Sequence, residues 1–187
     1  MNKIEQIENY VLKATAYMND GYNAKEAIGC LENAFALVDN TLDIGYYKII
    51  IDSANGLTYS TKNAIQTGKV RKIYVEFLTY LVDKYKKIEN LKITNDQEEF
   101  DYITDLIFYF YNRIDYLAST FVKGTPVIIG ALPALIGMKG ALKPFFEMLG
   151  NIAHSSIVLM EKYNDDILNK QKYIDNLRKF EKKYYKG

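Results

Sequence analysis

Apolar residues recur every three or four positions over most of the chain, with polar residues between them. The spacing is clearest in four stretches, which are residues 4–18, 27–38, 70–88 and 167–184. This period is that of one face of an α-helix packed against a core. The sequence therefore predicts an all-α protein, a single-domain bundle of about six to eight helices over residues 1–187.

A further helix is predicted from Asn95 to about Thr120. Thr94, with Gln97 three residues later, has the spacing of a capping box that opens it. Apolar residues of this helix, among them Phe100 and Phe108, are distributed around nearly its whole circumference. Such a helix is expected at the centre of a bundle or buried in an assembly.

Residues 42–60 fit two structures. The run Tyr46–Ile51 has the composition of a strand, and Asn55-Gly56 is a dipeptide typical of hairpins. Ile44, Tyr47, Ile51 and Ala54 also fit one helical face, and a lone hairpin is marginal in a helical domain. The sequence favours a helix, broken or bent near Asn55-Gly56, over the hairpin.

An apolar segment interrupted by glycine and proline spans residues 124–149. Residues 124–138 carry no charge, and all three prolines of the chain lie between 124 and 144. Interior glycines and prolines weaken an isolated helix but are tolerated in membranes or against close neighbours. We expect core packing, a subunit contact or a membrane element. The candidate contact residues are Val127, Ile128, Ile129, Leu132, Leu135, Ile136, Phe145 and Phe146.

Composition excludes several kinds of site. The chain has one cysteine, Cys30, and one histidine, His154, so a disulfide scaffold and the common Cys/His zinc sites are impossible. His154 stands beside Ser155 and Ser156, but adjacent residues on a helix do not face each other as a nucleophile and its base must. We expect no catalytic residues, no cofactor and no enzymatic activity.

Two pairs of carboxylates have helical metal-site spacing, Glu5 with Glu8 and Glu98 with Asp101. Such pairs are common on solvated helix faces, so we expect no metal. Asp101 and Asp105 lie on the apolar helix and are predicted to form a structural polar seam with Arg113.

Charge alternates in sign along the chain although the formal net charge is only +1. Residues 94–105 contain five acidic residues and no basic one, whereas residues 170–187 contain seven basic and two acidic residues. Blocks of opposite sign pair within a fold or between copies. The candidate basic contact patch consists of Arg178, Lys179, Lys182, Lys183 and Lys186. Lysines mixed with aromatic residues also suit contact with nucleic acid or anionic lipid.

Tyrosine is abundant, with 17 residues, and interfaces often use tyrosine. Together with the charge blocks, it predicts a non-enzymatic, self-associating structural protein, such as a subunit of a viral or cellular assembly. The alternatives are a membrane-acting protein that inserts residues 124–149 and a small adaptor or immunity-type binding protein. The N-terminal residues lack the apolar stretch of a cleavable signal peptide, so we expect a cytoplasmic or virion-associated protein, with membrane association possible.

Overall fold

The computed structural model describes residues 2–38, 44–56, 68–123 and 132–187. All regular elements within these ranges are helical, which confirms the predicted all-α class. In chain order they are α1 (Lys3–Gly21), α2 (Ala24–Val38), α3 (Ile44–Gly56), α4 (Gly68–Tyr85), a 3₁₀ helix (Lys86–Asn90), α5 (Gln97–Lys123), α6 (Leu132–Met160) and α7 (Lys170–Tyr184).

Two helix starts show how side chains set the boundaries. The Asn2 side chain accepts a hydrogen bond from the Glu5 amide while the Glu5 carboxylate accepts one from the Asn2 amide, each at 2.9 Å. This capping box opens α1. At α5 the cap is Asp96, which accepts from the Glu99 amide at 3.2 Å. The predicted pairing of Thr94 with Gln97 is therefore wrong, because Asp96 lies directly before the helix and takes that role.

Residues 44–56 form helix α3, as the apolar spacing favoured, and the hairpin alternative is wrong for them. The helix ends at Gly56, next to the predicted bend; residues 57–60 lie outside the described ranges. Tyr46 and Ile50 are buried on α3, which contacts α1, α2, α4 and α5. Burial against four helices explains why strand-like residues are helical here, since tertiary packing overrides local propensity.

The helices pack around one cluster of buried side chains. α1 pairs with α2, and α6 pairs with α7 and α5. Phe100, near the start of α5, makes an edge contact with Tyr163, which follows the end of α6, so α5 and α6 run antiparallel. The largest of the fully buried side chains are aromatic: Tyr46, Tyr74, Tyr85, Tyr163, Phe77, Phe100, Phe110 and Phe145.

Helix α5 has a solvent face as well as a core face. Phe100, Ile107 and Ile114 are buried, but Tyr102 is 46% exposed and Tyr116 is 40% exposed. The expectation of an apolar surface nearly all round is therefore wrong. Polar residues and half-exposed tyrosines share one side of the helix.

Helix α6 continues through Pro133, Gly137, Gly140 and Pro144 of the segment that was predicted to be interrupted. Gly124, Pro126 and Gly130 lie outside the described ranges. Pro144 lies inside the helix. Its ring nitrogen has no hydrogen to donate to the carbonyl of Gly140, but Gly140 is exposed, so water can replace that donor. Pro133 is the second helical residue, where a missing amide hydrogen costs little. No helix in the described ranges has the length and apolar character needed to cross a membrane.

Candidate functional site

A groove with a volume of about 620 Å³ lies between α1 and α3. Its ridge carries Ile4 and Leu12, which are 67% and 69% exposed. The groove, called here the α1–α3 groove, is lined by Ile4, Ile7, Glu8, Val11, Leu12, Thr15, Gly45, Lys48, Ile49, Asp52 and Gly56. Ile4 and Leu12 therefore give this edge of the groove two large exposed aliphatic side chains.

Charged side chains line the α3 side of this groove. Lys48 donates to the Asp52 carboxylate at 2.9 Å. That hydrogen bond raises the pKa of Lys48, and the nearby Glu8 and Tyr102 act in the same direction. Tyr102 belongs to α5, so a residue of α5 also lies near Lys48.

The exposed side of α5 is acidic. Glu98, Asp101, Tyr102 and Asp105 have the spacing of one helix face and are all exposed. Asp101 accepts a hydrogen bond from Gln97 at 2.9 Å. Within the described ranges, none of the three carboxylates forms an ion pair with a lysine or arginine. These acids and Tyr102, together with the α1–α3 groove, are called the acidic face below.

Asp101 and Asp105 do not form the predicted polar seam with Arg113 on α5. Asp101 and Asp105 are exposed and do not reach Arg113. Instead Arg113 donates to the Tyr109 hydroxyl at 2.8 Å, and that hydroxyl donates to Asn55 of α3. The two carboxylates therefore lie at the surface without Arg113, while Tyr109, which accepts from Arg113, joins α5 to α3.

The five residues of the predicted basic patch are all exposed on or just after α7. Arg178 pairs with Glu161 at 2.7 Å and with Asp175 at 3.9 Å, and Lys186 lies 3.6 Å from Glu147. Each of these pairs is exposed and therefore adds little to stability. They partly cancel the positive charge of Arg178 and Lys186. Lys179 donates a hydrogen bond to the neutral side chain of Asn176 at 3.3 Å. The outward side of α7, called the basic face, carries Lys172, Lys179, Lys182 and Lys183.

Two pairs of stacked rings join the C-terminal end of α7 to α6. Phe146 stacks on Tyr184 with centroids 4.9 Å apart, and His154 stacks on Tyr185 at 4.1 Å. His154 Nδ1 also lies 2.7 Å from Glu181 Oε1. A groove of about 500 Å³, called the lysine groove, lies beside the first stack. It is lined by Gly140, Lys143, Phe146, Glu147, Lys183, Tyr184 and Lys186.

The candidate residues of segment 124–149 separate into three groups. Val127, Ile128 and Ile129 lie outside the described ranges. Leu132, Leu135 and Ile136 belong to helix α6, with side chains outside the described part. Phe145 is fully buried in the core of its own chain, whereas Phe146 is partly buried against Tyr184.

His154 and the two serines after it point to three different partners. Ser155 donates to Glu89 at 2.6 Å, and Ser156 donates to the Ile152 carbonyl at 2.6 Å. His154 contacts Glu181, so it reaches neither serine. The described residues contain no group of three or more His, Cys, Asp or Glu side chains arranged to hold a metal ion.

The α1–α3 groove was missed from the sequence. Ile4 continues the apolar spacing of Ile7 and Val11, which predicted a core position. The available signal was Leu12, an apolar residue outside that spacing and two helical turns from Ile4. Both lie on the ridge rather than in the core.

The chain matches no protein-family model, no curated protein and no solved structure. Its function is inferred below from the surfaces of the described residues.

Proposed function

We propose that this protein is a non-enzymatic structural protein that assembles head to tail. The basic face of one copy contacts the acidic face of the next. One observation carries the proposal: an acidic face with exposed aliphatic residues and a lysine-rich face lie on different sides of the same fold.

The two faces complement each other in charge. The acidic face carries Glu8, Asp52, Glu98, Asp101 and Asp105 against Lys48. The basic face offers four exposed lysines. Since the chain as a whole has a net charge of only +1, attraction between opposite faces is not offset by strong overall repulsion. Such complementarity sets orientation and association rate more than affinity.

Helix α5 separates the two faces. On one side, Phe108 contacts Tyr173 and Tyr111 contacts Phe180, which places α7 there. Tyr102 and Tyr109 lie on another side, towards α3. The faces of one chain therefore point in different directions, and pairing requires a second copy. A contact between two different faces builds a ring or a filament.

Apolar contacts supply the affinity that the charges do not. Ile4 and Leu12 together present two large aliphatic side chains to solvent. Burying such a side chain stabilises a complex by about 1.5–3 kcal/mol. The Ile4→Ser/Leu12→Ser variant should therefore dissociate the assembly while its melting temperature as a monomer stays unchanged.

Charge reversal tests the orientation. Lys179→Glu/Lys182→Glu cancels the charge of the basic face, leaving two glutamates with two lysines, and Asp101→Lys/Asp105→Lys cancels that of the acidic face, leaving three carboxylates with three lysines. By light scattering after size-exclusion chromatography at low salt, we expect each variant alone to stay monomeric. An equimolar mixture should form a heterodimer, because each variant supplies the charged face that the other lacks. Raised salt should dissociate the wild type.

Lys25→Glu/Lys72→Glu is the matched control, since it reverses two exposed lysines away from both faces. It should assemble like the wild type. A wild-type protein that is monomeric at low salt and high concentration would refute the proposal. Assembly of either face variant by itself would refute the proposed contact.

A further inference from the structure

The lysine groove is lined by lysine side chains and by the aromatic rings of Phe146 and Tyr184. Lys143, Lys183 and Lys186 surround one carboxylate, Glu147. Glu147 lies 3.8 Å from Lys143 and 3.6 Å from Lys186, so a single carboxylate partly neutralises two ammonium groups. The groove keeps an excess of positive charge.

The part of helix α6 that precedes this groove in the sequence is mostly apolar. Between Leu132 and Gly140 the helix carries a single charged residue, Lys139. Lys143 of the groove therefore follows an apolar stretch in the sequence of α6. Tyr184 and Phe146 form a stacked pair in the same groove. This order of lysine, tyrosine and apolar residues is typical of protein surfaces at the membrane–water interface.

We propose that the lysine groove binds the headgroups of anionic lipids at a membrane surface. Lysines attract anionic headgroups as point charges and do not require the fixed bidentate geometry that arginine gives to one phosphate. The apolar stretch of α6 next to the groove favours a lipid surface over a free anion. Contact occurs at the surface and requires no helix that crosses the bilayer.

Glu147 limits this binding. Its carboxylate competes with headgroups for Lys143 and Lys186. Removing the carboxylate should strengthen vesicle binding, whereas removing the two lysines should weaken it. A general effect of net charge would act in the same two directions, so a charge-matched variant outside the groove is needed to distinguish it from headgroup binding.

The test is sedimentation of the full chain with vesicles of phosphatidylcholine containing 30% phosphatidylglycerol. Each lysine near an anionic surface contributes about 1 kcal/mol, so Lys143→Gln/Lys186→Gln should lower the partition coefficient roughly thirtyfold. Glu147→Gln should raise it. Lys25→Gln/Lys72→Gln changes the net charge equally and, because it lies away from the groove, should have a much smaller effect.

Three outcomes would overturn the proposal. They are equal binding by the groove variant and its charge-matched control, equal binding to vesicles of phosphatidylcholine alone, and loss of binding in millimolar glycerol phosphate at constant ionic strength. The last would identify a free phosphate as the ligand. Lys143→Gln/Lys186→Gln leaves both proposed assembly faces intact, so its oligomer size at low salt should match the wild type. Melting temperatures of all variants check the fold.

Discussion

Gly150 of α6 lies directly beneath the backbone of Tyr184. A Cβ atom at position 150 would lie 2.5 Å from the carbonyl carbon of Tyr184 and 2.5 Å from the amide nitrogen of Tyr185. Real Cβ atoms do not approach other atoms so closely. The end of α7 can dock on α6, with both stacked aromatic pairs formed, only because residue 150 has no side chain.

Gly150→Ala should therefore destabilise the protein by about 1–3 kcal/mol, as overpacking of a tight contact does. The matched control is Gly29→Ala in α2, where an added Cβ meets nothing within 4 Å. There alanine should stabilise the helix by roughly 0.5–1 kcal/mol. Urea unfolding of both variants measures the difference. Equal stability of the two would show that the close approach is not maintained in solution.

The sequence could predict the helices because their signal is local. The spacing of Val11, Ala14 and Met18 depends only on neighbours along the chain, and all three are buried as expected. The docking of Gly150 under Tyr184 could not be predicted. It joins residues 34 positions apart, and a glycine within an apolar stretch also fits a flexible or membrane segment.

The Tyr85 hydroxyl lies 2.6 Å from Ser156 Oγ inside the core. Since Ser156 donates its own hydrogen to the Ile152 carbonyl, Tyr85 is the donor to Ser156. Ser156→Ala leaves the buried Tyr85 hydroxyl without this acceptor and should cost about 1–3 kcal/mol. Tyr85→Phe leaves Ser156 bonded to Ile152 and should cost only about 0.5–1.5 kcal/mol.

The double variant Tyr85→Phe/Ser156→Ala checks this assignment. Because it removes both partners, its loss of stability in urea unfolding should be smaller than the sum of the two single losses. Additive losses would mean that the two hydroxyls do not interact. A larger loss for Tyr85→Phe than for Ser156→Ala would reverse the donor assignment.

Lys170 is a buried cation at the start of α7, only 7% exposed. Its ammonium group donates to the Tyr163 carbonyl and, at 2.8 Å, to the Asp165 carboxylate. Lys170→Met removes the donor to that carbonyl and should cost roughly 1–3 kcal/mol in urea unfolding. Asp165→Asn should change stability little, because the Asp165 side chain is fully exposed. A larger effect at Asp165 would show that the ion pair, rather than the carbonyl contact, holds this loop.

Hydrogen bonding to Lys170 lowers the pKa of Asp165. The small stabilisation from this pair is therefore present above about pH 4, the usual pKa of an aspartate, and is lost as the pH falls through the lower native value. The stability difference between the wild type and Asp165→Asn should shrink on acidification below pH 4. A difference that grows on acidification would contradict the direction of this shift.

The surfaces were predicted less completely than the helices. The basic patch was found because its lysines cluster within one short stretch, whereas the acidic face combines residues from α1, α3 and α5. Glu8, Lys48 and Tyr102 are brought together only by packing. Surface sites that draw on several helices leave little local signal in the sequence.

Buried tyrosines should make the fold sensitive to alkali. Burial raises the pKa of Tyr47, Tyr85 and Tyr163 above the usual value near 10, and the Glu99 carboxylate adds to the effect at Tyr163. Each native tyrosine keeps its proton while the unfolded chain loses its own. The stability from these groups is therefore complete below about pH 10 and falls as the pH rises further.

Tyr47→Phe tests this with the smallest structural change, since the Tyr47 hydroxyl has no hydrogen-bond partner among the described residues. Above pH 10 the variant should lose stability less steeply than the wild type, by about 1.4 kcal/mol per pH unit for one proton. Tyr17→Phe is the matched control, because Tyr17 is 43% exposed. Urea unfolding between pH 9 and 12 gives the slopes. Absorbance at 295 nm follows tyrosine ionisation directly because the chain has no tryptophan. If the slope for Tyr47→Phe equals the slopes for the wild type and Tyr17→Phe, then Tyr47 ionises in the folded protein. The buried position assigned to Tyr47 would then be wrong.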